Sequence, residues 1–73
     1  MEHKFIQLIG DDVEVLVNNE TVLFEKSEVL ESEEYSDIWL MNGYVGDEII
    51  YTASCEYERG SDEFVELHDV DLY

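Results

Sequence analysis

Apolar and polar residues alternate most cleanly between positions 49 and 57. Ile49, Tyr51, Ala53, Cys55 and Tyr57 point one way, and Ile50, Thr52, Ser54 and Glu56 the other. A period of two marks a strand with one buried face. Positions 13–18 (VEVLVN) alternate in the same sense, and Thr21 to Phe24 is again rich in strand-forming residues, with Asn18-Asn19-Glu20 as the interruption. Ser36 to Asn42 reads as a strand closed by an Asn42-Gly43 turn. A final strand runs from about Glu63 to Val70 after the turn Arg59-Gly60-Ser61-Asp62. Segment 3–9 (HKFIQLI) fits two patterns. Phe5, Leu8 and Ile9 share a helical face, whereas Phe5, Gln7 and Ile9 share a strand face.

The stretch Ser27 to Glu34 departs from the period of two and reads as a short helix. Ser27 is its N-cap, Glu28 sits in the first turn, and Val29 and Leu30 supply the apolar side. Glu28, Glu31 and Glu34 then recur at three-residue steps on one face, where like charges cost a few tenths of a kcal/mol per pair. The expected fold is therefore α+β. It is a single small domain over residues 1–73, with an antiparallel sheet of four to five strands and one or two short helices.

Composition adds the most unusual number. The 73 residues carry 20 acids against 3 lysines and arginines, a formal charge of -17, while 45% are hydrophobic. The apolar content and the five tyrosines, three phenylalanines and one tryptophan are those of a folded domain rather than a disordered acidic tail. Charge of this size repels itself on a small surface, and it disfavours direct binding to nucleic acid or to anionic membranes. Cys55 stands alone, so no intrachain disulfide is expected and a reducing, cytoplasmic setting fits. No apolar run approaches the roughly 18 residues of a membrane span, and the opening MEHKF lacks the pattern of a signal peptide.

The candidate chemistry is sparse. Asp11-Asp12, Glu33-Glu34 and Asp47-Glu48 are paired carboxylates, but 20 acids in 73 positions produce such pairs by chance. None has the alternating, glycine-centred spacing of a calcium loop. His3, Cys55 and His68 share no zinc-ligand spacing, and no glycine-rich phosphate loop is present. No enzyme, cofactor or metal site is expected. The charge itself remains as the working part. Same-face strand positions recur every ~6.6–6.8 Å, a step on which carboxylates stand in for successive phosphates. A protein that grips DNA with Lys and Arg presents a basic groove that such a row fits.

A family comes into view between Leu16 and Tyr44. Asn19-Glu20-Thr21-Val22-Leu23, Ser27-Glu28-Val29-Leu30-Glu31, Ser36-Asp37-Ile38 with Tyr44, and Asp47-Glu48-Ile49-Ile50 follow one another in a fixed order. In order and spacing this resembles the phage-encoded uracil-DNA glycosylase inhibitors. Those carry a Gln-Glu-Ser-Ile-Leu strand, a Glu-Glu-Val-Glu-Glu helix and a Glu-Ser-Asp-Ile-Leu strand ending in tyrosine. Tyr35 stands where the family has an acid, and no proline opens the acidic segment. The resemblance implies a DNA mimic that binds uracil-DNA glycosylase one to one in the cytoplasm of an infected host cell. Its contacts would come from Asn19, Glu20, Thr21, Val22, Leu23, Glu28, Glu31 and Asp37. It also implies an apolar pocket between helix and sheet that accepts a side chain of the enzyme, lined here by Phe24, Val29, Leu40, Ile49 and Tyr51. Taken singly, each pocket position reads first as ordinary core, and Glu28 and Glu31 read equally as solvated charges. Two rivals remain: a DNA mimic aimed at a nucleoid protein, restriction complex or CRISPR effector, and a cation-binding or merely acidic structural protein.

Overall fold

The computed structural model describes residues 1–73 and contains six strands and no helix. They are β1 (His3–Ile9), β2 (Asp12–Val17), β3 (Glu20–Ser32), β4 (Ser36–Val45), β5 (Glu48–Glu58) and β6 (Phe64–Leu72). Every strand pairs antiparallel with its neighbour in sequence, giving one meander in the order β1 to β6. The expected α+β architecture with four to five strands is therefore incorrect: the protein is all-β, with one more strand and no helical layer.

The sheet curls into a half-barrel, because alternate residues on one face are large and apolar and must cover one another. Val13, Val15 and Val17 of β2 pack with Val22 and Phe24 of β3 and Met41 of β4. Tyr51, Ala53, Cys55 and Tyr57 of β5 and Leu67 and Val70 of β6 complete this concave core. The curl brings the first strand round to the last. Phe5 of β1 stacks on Phe64 of β6 with ring centroids 5.3 Å apart, although no backbone ladder joins the two strands. The Tyr57 hydroxyl donates to the Asp11 carbonyl oxygen across 3.4 Å and ties the β1–β2 turn to the same end.

Two departures from the expected elements have clear causes. Segment 27–34 is not a helix, since β3 runs straight through it as far as Ser32, with bulges between Lys26 and Glu28 and between Val29 and Glu31. A bulge inserts one extra residue, after which the strand resumes its pairing with its neighbour. Two in succession stretch a two-residue period into a three-residue one, which mimics helical spacing. Asn42-Gly43 is not a turn either, because it lies inside β4. Gly43 sits opposite Phe24, and a Cβ there would stand 2.7 Å from Phe24 Cε1 and 2.9 Å from Val22 Cγ1. The glycine makes room for the buried phenylalanine. The chain reverses instead at Gly46-Asp47, where Gly46 has a φ of 63°. Asn18 and Asn19, with φ of 50° and 63°, form the tight β2–β3 turn that strand twist favours. Segment 3–9 resolves as a strand, with a bulge between Phe5 and Gln7.

Gly43→Ala therefore overpacks the core against a fully buried ring. Chemical denaturation should show it destabilised by about 1–3 kcal/mol, whereas Gly43→Ala combined with Phe24→Leu should recover part of the loss.

Candidate functional site

The outer, convex face of β3 carries the arrangement of greatest interest. Residues directly opposite in an antiparallel pair project to the same side. Lys26 lies opposite the buried Met41, so both face inward. Glu25 lies opposite Asn42, Glu28 opposite Leu40 and Glu31 opposite Ile38, so these three face outward. The partners 42, 40 and 38 are successive same-face positions of β4. The two bulges thus convert glutamates three apart in sequence into a straight row with a repeat of ~6.6–6.8 Å.

The face continues across the sheet. Asn42 is opposite Thr52, Leu40 opposite Ser54 and Ile38 opposite Glu56. Thr52, Ser54 and Glu56 are in turn opposite Asp71, His68 and Glu66. Glu56 and Glu66 are direct cross-strand neighbours of like charge, an arrangement that costs stability. His68 Nε2 lies 3.6 Å from Glu66 Oε2 and is the only titratable base among these paired positions. Half-buried Leu40 and Ile38 lie beside Glu28 and Glu31, giving the row an aliphatic flank.

The cations nearest this face are engaged elsewhere. Lys26 points into the concave side, 3.0 Å from Asp62 Oδ2, and its ammonium lies 4.1 Å from the Tyr57 ring centroid and 4.9 Å from that of Trp39. Arg59 donates to Asp37 Oδ1 across 3.0 Å. Ser32 and then Arg59, both hydrogen-bonded to the Asp37 carboxylate, hold its pKa below the usual value.

The residues expected to form the site divide between the two faces. Glu28 and Glu31 share the convex row, and Glu25, which the helical reading passed over, completes it. Glu56, Glu66 and Asp71 were also missed; the strict alternation of 49–57 already placed Glu56 opposite the apolar face. Asn19 lies in the β2–β3 turn. Glu20, opposite Val17, is on the concave side of β3, where the Tyr51 hydroxyl donates to its carboxylate across 3.5 Å. Thr21 is exposed and Leu23 half-buried, but Val22 is wholly in the core and offers a partner nothing. Asp37 is committed to Arg59 and Ser32. The expected apolar pocket does not form, because no helix covers the sheet. Phe24 and Tyr51 fill the core, Val29 is exposed near the far end of β3, and Leu40 and Ile49 face outward from β4 and β5.

No three His, Cys, Asp or Glu side chains gather into a metal cage. No helix is long and apolar enough to cross a membrane. Comparison of the chain with protein-family models, with curated proteins and with solved structures finds no match.

Two features of this geometry can be measured directly. Glu56→Gln relieves the opposition to Glu66 and should stabilise the protein by about 0.2–1 kcal/mol in low salt, with the gain shrinking as salt is added. Cys55 is fully buried, and burial pushes its thiol up to about 12. Iodoacetamide should alkylate it at pH 8 only as fast as the protein unfolds. The thiol of the unfolded chain ionises first, near 9.0, so its contribution to stability is full below that pH and is lost as pH rises towards about 12.

Proposed function

We propose that this protein is a non-enzymatic DNA mimic that occupies the nucleic-acid-binding groove of a basic partner protein. The observation that carries the proposal is the row Glu25, Glu28 and Glu31, held in register on a rigid sheet and backed by Glu56, Glu66 and Asp71. Carboxylates fixed at a strand repeat meet Lys and Arg side chains spaced for phosphates without first having to be ordered. Their summed field also speeds the encounter. Leu40 and Ile38 add apolar contact that salt does not weaken.

Uracil-DNA glycosylase, bound one to one in the host cytoplasm, is the first target to assay, on the strength of the motif order from Asn19 to Tyr44. The helix and apolar pocket that the inhibitor family uses have no counterpart here. That difference favours, as a second reading, a DNA mimic aimed at a nucleoid protein, restriction complex or CRISPR effector.

Uracil excision titrated with the protein tests the first target. DNA displacement from a panel of nucleoid, restriction and CRISPR proteins tests the second. Stoichiometric inhibition that weakens with salt is expected in one of them, and its absence from all would refute the mimicry. In the responsive assay, Glu25→Gln/Glu28→Gln/Glu31→Gln should bind less tightly by about three- to a hundredfold, the sum of three wet charge pairs. An unchanged affinity in a folded triple variant removes the row from the site.

A further inference from the structure

The seam between β1 and β6 is the least finished part of the molecule. Each strand has one edge that joins no ladder, and such an edge is a template for another strand. Phe5, Ile6, Leu8 and Ile9 on β1 and Val65 and Leu72 on β6 are 43–63% exposed, so six of the eleven exposed large hydrophobic residues lie on these two strands. A slot of about 270 Å³ opens there, lined by His3, Phe5, Val15, Phe64, Val65 and Leu67, with Glu66 at its rim. Phe5 and Phe64 both line it, and their stack bridges the two strands.

We infer that this seam binds an extended, cationic segment of a partner protein, which adds as a strand to the free edge of β6 along Phe64–His68. A ladder would supply the affinity, alternate apolar side chains of the segment would enter the slot, and its basic side chains would face outward. The charge around the seam selects the partner. Glu66, Asp69 and Asp71 lie along β6, Glu63 immediately precedes it and Asp11 closes the β1–β2 turn, whereas Lys4 is the one lysine of β1. A second copy of this chain, also at -17, is repelled from the same edge. Asp69, with a φ of 53°, and Val65 mark the two places where the β5–β6 register shifts. The row Glu25, Glu28 and Glu31 lies away from the seam, on the convex face of β3, and Glu66 and Asp71 are the acids that the two surfaces share.

The test uses the full chain and a synthetic peptide of alternating valine and lysine with blocked ends, at ~0.15 M salt. Amide hydrogen exchange followed by NMR should show new protection within Phe64–His68. The same peptide N-methylated at alternate residues keeps its charges but loses backbone donors, and should bind at least about tenfold more weakly. Val65→Ser should weaken peptide binding several-fold while leaving displacement of DNA from the mimicry target unchanged. That independence separates failure here from failure of the mimicry. Equal binding of the methylated peptide, no binding, or protection confined to other strands overturns the inference. So does protection that appears with rising protein concentration and no peptide, which assigns the edge to a second copy.

Discussion

Burial of the concave face has to hold together a sheet whose other face repels itself, and the remaining features depend on that opposition. Each large apolar side chain removed from water contributes roughly 1.5–3 kcal/mol. A directly opposed pair of like charges on a sheet surface costs a fraction of that. The twelve-residue core can therefore carry many uncompensated carboxylates, provided its packing is close. This is why Gly43 matters out of proportion to its size: the ring of Phe24 lies where a side chain would otherwise be, and Phe24 is among the largest fully buried residues. The same demand curls the sheet, because a flat six-stranded meander of this length would leave the valines of β2 facing water.

The strands with unbroken alternation were legible from the chain alone. β2 and most of β5 emerge from their period of two, and the final strand from the turn before it. Illegibility begins where a bulge shifts the period. In β3 the inward residues are Phe24, Lys26, Val29 and Ser32, and the last two steps are three residues long, the spacing of a helical face. Nothing local separates a twice-bulged strand from a short acidic helix with a serine cap. The difference is settled by β4, which supplies a partner for nearly every residue of β3 beyond Leu23. Asn42-Gly43 misled for a related reason. A glycine beside asparagine is a strong turn signal, but here the missing side chain serves a cross-strand neighbour far away in sequence.

The candidate site was legible in part, and for a reason that changed. Glu28 and Glu31 share a face because of bulges, not because of helical pitch, and the strand geometry recruits Glu25 to the same row. Glu20 and Asp37 were chosen on motif order, which carries no information about which side of a sheet a residue takes. Parity along the strand decides that, and it turns both inward. The apolar pocket failed with the helix on which it depended. Its five residues separate into core members and outward aliphatics as soon as the second layer is removed.

The distribution of the few cations completes the physical picture. Lys26 and Arg59 could have relieved the convex face, yet the first lies over two aromatic rings beside Asp62 and the second holds Asp37. Both therefore strengthen the concave end, where a charge pair also fastens loop to sheet, and leave the row Glu25, Glu28 and Glu31 without a lysine or arginine partner. A surface built this way favours fast, salt-sensitive association, since wet charge pairs act mainly on encounter and little on residence. Lasting attachment requires apolar contact or a backbone ladder. On the convex face only Leu40, Ile38 and their neighbours offer the former, whereas the open seam between β1 and β6 offers both. Recruitment by charge and retention by strand addition would thus fall to different sides of one small sheet.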